Sequence, residues 1–261
     1  MTTRRFGRAV VSGVETWIAV QGAEAFPLAA PPWIDDRQVG AAIALADLRL
    51  LAPATPSKIV AIGRNYRAHA QELGNTAPLE PLLFLKPPSA IVGPDDDIHL
   101  PAQSRQVEHE GEMAIVIGRT AHHVPAARAM DHVFGLTCAN DVTARDLQRA
   151  DGQWTRAKGF DTFCPLGPLL VTGLDPSDRT VIASVNGAER QRGHTSALLF
   201  PAAQLVAYVS SVMTLLPGDL ILTGTPAGVS RLSAGDRVEI EIDGIGTLSN
   251  SVTSGTVPTE G

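Results

Sequence analysis

The stretch VEHEGEMAIVIG, residues 107–118, constrains this chain more than any other. Three glutamates alternate (Glu108, Glu110 and Glu112) and run straight into an apolar segment. That segment reads as a buried strand, and on a strand residues two apart share a face, about 6.6–7 Å from one another. Glu110 and Glu112 would then stand side by side at its mouth. Carboxylates that close repel, so either one is protonated or both share a cation. Hard oxygen donors suit Mg²⁺, Mn²⁺ or Ca²⁺ and not zinc. A third acid is available in CANDVTARD, where Asp141 follows the next apolar segment. The ordinary alternative is a solvated strand edge on which Glu discourages aggregation. Glu239 and Glu241 in VEIEIDG read that way, as the polar face of a half-exposed strand. Gly111 and the apolar run after it tilt residues 107–118 toward the cation reading.

Composition narrows the function classes. The net charge of −6 argues against nucleic acid or an anionic membrane as partner, since both select basic patches. Cys138 and Cys164 are the only cysteines and form no CxxC, so a reducing, cytoplasmic setting is expected. The N-terminus has charge but no apolar core of a secretory signal, and no run approaches the ~18 apolar residues of a membrane helix. With 261 residues and 44% apolar content, one large domain, or a main domain plus a small one, can bury a core.

The 24 glycines and 19 prolines favour many short strands and turns. Residues 1–52 read as a small N-terminal module: a hairpin about Ser12-Gly13, then DRQVGAAIALADLRLL as one helix. LAPATPSK, 51–58, is the best linker candidate, and 57–253 the main domain. Within it KIVAIG, LLFLK and EGEMAIVIG read as strands, NYRAHAQELGN as a short helix closed by Gly74, and PAARAMDHV as another with Pro125 in its first turn. LTCANDVTARDLQ reads as strand, turn and helix, and residues 201–216 as the longest helix. Asn186-Gly187 and Asp243-Gly244 mark late hairpins. Residues 254–261 read as a flexible tail.

Seven stretches, in order, resemble the fumarylacetoacetate hydrolase superfamily: IGRNYRAHAQE, FLKPPSAIVGP, EHEGEMAIVIG, ANDVTARDLQ, KGFDTFCPLGP, VNGAERQ and LPGDLILTGTPAGV. The resemblance is to the branch of acylpyruvases and 2-hydroxyhepta-2,4-diene-1,7-dioate isomerases. It implies an α+β, predominantly β fold, a mixed β-roll with short flanking helices, commonly a homodimer. It also implies a divalent ion, Mg²⁺ or Mn²⁺, held by Glu110, Glu112 and Asp141, with Glu108 outside the ligand set. His69 and Glu72 match a His-x-x-Glu pair on a short mobile segment; three apart on a helix, they share a face, so the carboxylate can orient the imidazole for proton transfer. Lys158 matches an active-site lysine that stabilises an enolate or carboxylate. Lys86 matches a lysine near the substrate, Arg64 and Gln148 positions that reach substrate oxygens, and Thr225 a residue that hydrogen-bonds the substrate carboxylate. Arg145 and Asp146 are expected to form a structural ion pair. GTPAG lacks the spacing of a phosphate loop, and Cys164, in an apolar setting without a base, reads as a packing cysteine. After the Asn-Gly hairpin the chain has GHTSALLF where the family often has GNTSDMIF, a departure at His194, Ala197 and Leu198.

The expected activity is hydrolytic or decarboxylating C–C cleavage of a small 2-oxo acid, of acylpyruvate or oxaloacetate type, through an enolate stabilised by the ion. Isomerisation of 2-hydroxyhepta-2,4-diene-1,7-dioate is the alternative within the family. A non-catalytic metal-binding scaffold is the alternative outside it; it predicts loss of a ligand or of the His-Glu pair, and both are present.

Overall fold

The computed structural model describes residues 2–255. The tail expected at 254–261 lies outside the described residues from 256 onward.

The chain opens with β1 (Arg4–Val11), β2 (Val14–Gln21), β3 (Glu24–Pro27), β4 (Ile43–Ala44) and β5 (Arg49–Leu51). β1 and β2 meet in the expected hairpin, because Ser12 and Gly13 take positive φ, as a two-residue turn between right-twisted strands requires. The helix expected over 36–51 is not formed. That stretch holds β4, one 3₁₀ turn at Leu45–Asp47 and β5, and its apolar residues pack at a sheet edge instead of along a helix face. Cross-strand partners outweighed a weak helical period. The 51–58 segment is packed, with Ala52, Pro53, Ala54 and Pro56 buried.

Next come β6 (Ile59–Gly63), α1 (Arg67–Glu72), β7 (Leu82–Lys86), β8 (Ile91–Val92), β9 (Ile98–Leu100), β10 (Val107–Glu108), β11 (Gly111–Ile117) and α2 (Ala126–Ala129). They are followed by β12 (Val133–Asn140), β13 (Thr143–Ala144), α3 (Arg145–Asp151), α4 (Thr155–Lys158), β14 (Cys164–Thr172), β15 (Thr180–Val185) and β16 (Ala188–His194). The last elements are α5 (Ala202–Val212), β17 (Leu220–Leu222), β18 (Arg237–Ile242) and β19 (Gly246–Ser254). The fold is α+β and predominantly β, as expected. α5 stops at Val212, short of the expected 216, and Gly74 follows the short α1 with positive φ.

Three sheets form. The largest has the order β4-β3-β2-β1-β14-β12-β11-β17-β6-β7, with β5 and β8 attached at its side. The N-terminal strands therefore extend the same sheet, through β1 on β14. A second sheet, β16-β15-β18-β19-β9, packs across β11, β12 and β14. The third is the two-stranded β10–β13 pair. β11 is buried along its whole length because it lies between β12 and β17 and is covered by the second sheet. Such a strand reads as a continuous apolar run, and its N-terminal end delivers Glu110 and Glu112 to the interior.

Among the described residues no helix is long and apolar enough to cross a membrane.

Candidate active site

The glutamate row is not one unbroken strand. β10 ends at Glu108 and β11 begins at Gly111, with His109 and Glu110 between them. This break lets Glu110 and Glu112 converge. Glu110 is fixed by its main chain: its N–H donates to Asn140 Oδ1 at 2.9 Å, and its carbonyl accepts from Asp141 N at 2.9 Å. Asp141 leaves β12 at that point. One oxygen each of Glu110, Glu112 and Asp141 lie within 4.8 Å of one another. All three side chains are buried.

Three buried cations serve this cluster. Lys158 Nζ donates to Glu110 Oε2 at 2.8 Å and to Asp141 Oδ2 at 2.6 Å. Lys86 Nζ donates to Asp141 Oδ1 at 2.7 Å. Arg145 pairs with Glu110 Oε1 and, at 2.8 Å, with Glu108 Oε2. Burial alone would raise the Glu110 carboxyl, but the Lys158 and Arg145 charges hold it well below the carboxylate range. Burial would likewise lower Lys158, and Asp141 and Glu110 keep it raised instead.

Glu112 is the exception. Its hydrogen-bond partner is a main-chain one, Gly224 N at 2.6 Å. Burial first, then the Asp141 and Glu110 charges, push its carboxyl well above the ordinary value. Four buried carboxylates (Glu108, Glu110, Glu112, Asp141) thus face three buried cations (Lys86, Arg145, Lys158). The shortfall of positive charge falls on Glu112, and an added cation is what would let it ionise. The ligand set is all carboxylate; the oxygens of Glu110 and Asp141 and Oε2 of Glu112 each accept a bond from a lysine, arginine or amide and keep a second lone pair. These residues fit a hard divalent ion.

The acids open onto a cavity of about 470 Å³. Its wall also carries Arg64, His69, Glu72, Gln148, Lys158 and Thr225. His69 Nδ1 lies 3.2 Å from Glu72 Oε2, and Glu72 Oε1 accepts from Gly228 N at 2.9 Å. The pair is therefore formed, and its carboxylate is tethered to the loop after β17. Arg64 has φ of 58° and stacks its guanidinium on Trp154, 5.8 Å from the ring centroid. Gln148 accepts from Arg145 at 2.6 Å.

Two expectations require correction. Lys86 does not line the cavity. It sits behind the wall, its side chain fully covered, and spends its three hydrogens on Asp141 Oδ1, Val142 O and Lys158 O. It braces Asp141 from behind the cavity wall. Arg145 and Asp146 form no ion pair: Arg145 turns inward to Glu108 and Glu110, while Asp146 accepts from Ser104 Oγ and Arg105 N. Neighbours on a helix point about 100° apart, so one partner was bound to face elsewhere.

Cys164 is a buried packing residue, its thiol pushed up to about 12 by burial. The departing loop touches the residues just before α1. Leu198 bridges Tyr66, and Leu199 N donates to Asn65 O at 2.8 Å. His194 lies 3.3 Å from Asp178 and 2.7 Å from Ser196 Oγ, near the surface. The sequence reading missed Asn65, whose amide ties Phe200 N and O and Thr223 O together beneath α1. It also missed Gln191 and His109, although both fell inside quoted motifs; a glutamine at full burial in a hairpin has no local signature.

The family model for Fumarylacetoacetate (FAA) hydrolase C-terminal matches residues 58–253. Human mitochondrial oxaloacetate tautomerase FAHD2A is 46% identical over 220 residues, 79% of this chain and 70% of that protein. The 2-hydroxyhepta-2,4-diene-1,7-dioate isomerase structure from Mycobacterium marinum is 47% identical with a TM-score of 0.91, covering 97% of this chain and 100% of that one. The 5-carboxymethyl-2-hydroxymuconate delta-isomerase structure from Mycobacterium smegmatis is 50% identical with a TM-score of 0.90, covering 96% and 100%. A buried carboxylate cluster short of positive charge, a histidine–glutamate pair on its rim and a family match across three quarters of the sequence lead to one conclusion: the chain belongs to the fumarylacetoacetate hydrolase family.

Proposed function

We propose that this protein is a divalent-metal-dependent enzyme that moves a proton at the enolisable carbon of a small 2-oxo acid. The observation that carries this reading is the shared cavity: His69, paired with Glu72, and the Glu110, Glu112 and Asp141 cluster line the same wall. Glu110, Glu112 and Asp141 would hold Mg²⁺ or Mn²⁺, which supplies Lewis-acid polarisation of the 2-oxo acid oxygens. His69 takes or returns the proton, and Glu72 orients the imidazole through Nδ1 and stabilises its charged form. Lys158 adds a fixed positive charge where negative charge develops. Arg64 and Gln148 position the remaining substrate oxygens, and Thr225 contacts the substrate beside the acids.

Isomerisation or tautomerisation is favoured over bond cleavage because relatives named for those reactions are 46–50% identical to this chain, over 79–97% of its length. Hydrolytic or decarboxylating C–C cleavage of an acylpyruvate or oxaloacetate is the second reading. The cavity volume of about 470 Å³ supports it, leaving space for a water beside a small acid. The working form in this reading is a homodimer in the cytoplasm. The exposed edge strand β7, with Leu82 and Leu85 partly uncovered, is compatible with such pairing.

The test uses purified protein with Mg²⁺ or Mn²⁺ and a panel of oxaloacetate, acylpyruvates and hydroxydienoates. Proton exchange or isomerisation without release of pyruvate or CO₂ is the expected result. Metal-dependent release of either product establishes the second reading. No turnover of any of them overturns both.

A further inference from the structure

We infer that Asn65 is a positioning residue for the ion: it aims the Gly224 N–H at Glu112, the ligand that among the described residues has no cationic hydrogen-bond partner. This rests on the metal-dependent reading above, and it gives a part in the site to a residue that does not line the cavity.

Strand order brings the groups together. β17 lies between β11, which carries Glu112, and β6, which leads into Asn65. Thr223 and Gly224 follow β17 directly. On the β11 side, Thr223 N and Thr223 Oγ1 donate to Met113 O at 3.0 and 2.8 Å, and Gly224 N donates to Glu112 Oε2 at 2.6 Å. On the β6 side, Thr223 O accepts from Asn65 Nδ2 at 2.8 Å. The peptide between Thr223 and Gly224 is trans, so its C=O and N–H point in opposite directions. Fixing its oxygen on Asn65 therefore directs its N–H to Glu112. The donation from Asn65 also polarises the peptide, which strengthens the bond that the N–H makes.

Asn65 is itself held in one orientation. Its side chain is buried; Phe200 N donates to Oδ1 at 2.8 Å, and Phe200 O accepts from Nδ2 at 3.1 Å. An amide N–H can only donate and a carbonyl can only accept, so the Asn65 amide cannot be turned over. Gly224 permits the approach: its φ is 98°, and a Cβ there would come within 2.7 Å of Asn65 Cβ. Asn65 O accepts from Leu199 N at 2.8 Å, one residue before the Tyr66 cap of α1. The anchor that aims a donor at Glu112 is thus also the point from which the helix carrying His69 departs. A ligand preset by a fixed donor has less freedom to lose when the ion arrives, and preorganised ligands bind more tightly.

Mn²⁺ calorimetry, at a temperature where each variant is folded, tests this. Asn65→Leu is expected to weaken Mn²⁺ about tenfold, the worth of one hydrogen bond to a charged group. Phe6→Ala, a core change in the N-terminal strands, controls for general loosening and is expected to stay within about twofold of wild type. If Asn65→Leu does not fold, Asn65→Asp carries the test, since it keeps an acceptor for Phe200 N and loses the amide donor to Thr223 O. A nuclear magnetic resonance titration of the wild-type protein with Mg²⁺ gives a second reading without any variant. The Gly224 N–H and Asn65 Nδ2 signals are both expected to move as the site fills, because one peptide links them. An Asn65 signal that stays in place, Mn²⁺ affinity of the Asn65 variant within about twofold of wild type, or equal weakening in Phe6→Ala overturns the inference and leaves the functional reading intact. Failure of the wild-type protein to bind either ion overturns the metal-dependent reading, and the inference with it.

Discussion

Lys86 Nζ stands 2.7 Å from Asp141 Oδ1, on the far side of the cavity wall. The family resemblance implies a lysine near the substrate; here it braces Asp141. Removing it leaves Asp141 with Lys158 as its one cationic partner. Breaking a buried pair from one side typically costs about 3–5 kcal/mol, because the other charge stays behind. Lys86→Met is expected to destabilise the metal-free protein by that order, read as a lower melting temperature, with little change in KM for any substrate that is still turned over. A KM rise with unchanged stability would return Lys86 to the cavity.

Glu112 answers differently, because among the described residues no cationic side chain hydrogen-bonds to it. Glu112→Gln puts a permanently neutral amide where burial and the Asp141 and Glu110 charges already oppose ionisation, and keeps an oxygen to accept from Gly224 N. The metal-free protein is expected to be as stable as wild type or more so. Wild type should gain about 2.7 kcal/mol from an ion at one hundred times its dissociation constant, and the variant should lose that gain. Thermal melting with and without Mn²⁺ reads both. A Mn²⁺ shift in Glu112→Gln equal to that of wild type removes Glu112 from the ligand set.

The hairpins and the acid cluster were legible because they depend on local chemistry. Gly13 and Asn186-Gly187 accept positive φ readily in any context, and acids gathered in apolar surroundings must share a cation or a proton in any fold. What could not be read depends on distant partners. The segment 36–51 has enough apolar residues for a helix face, and only the presence of β3 and β1 makes it strand. Lys86 looked like a cavity residue because direction along β7 is invisible without the position of Asp141. Gln191 gains its meaning from Gly111, eighty positions earlier.

Phe6 shows how closely the N-terminal strands are joined to the rest. It is 1% exposed, sits in register with Leu170 on β14, and packs its ring 5.5 Å from Phe134. Phe6→Ala is expected to cost about 3–5 kcal/mol, as large-to-small core changes do. The unfolding transition should stay single and move as a whole. An early, separate transition for the first fifty residues would show that they form a unit independent of the sheet they extend.

His69 and Glu72 carry the last prediction, since their roles separate by measurement. In the proposed reading His69 carries the proton and holds no ion. His69→Asn is expected to slow turnover by about 10²–10⁴-fold, the usual worth of a positioned acid–base group, while the Mn²⁺-induced melting shift stays at the wild-type value. Glu72 acts through His69 and also accepts from Gly228 N. Glu72→Gln keeps an acceptor for one of those partners but loses the carboxylate charge that stabilises an imidazolium. Its loss in kcat should therefore be smaller than that of His69→Asn, and the double variant should be no slower than His69→Asn alone. Additive losses in the double variant would mean that the two residues work independently, and the proton would then need another carrier on the cavity wall.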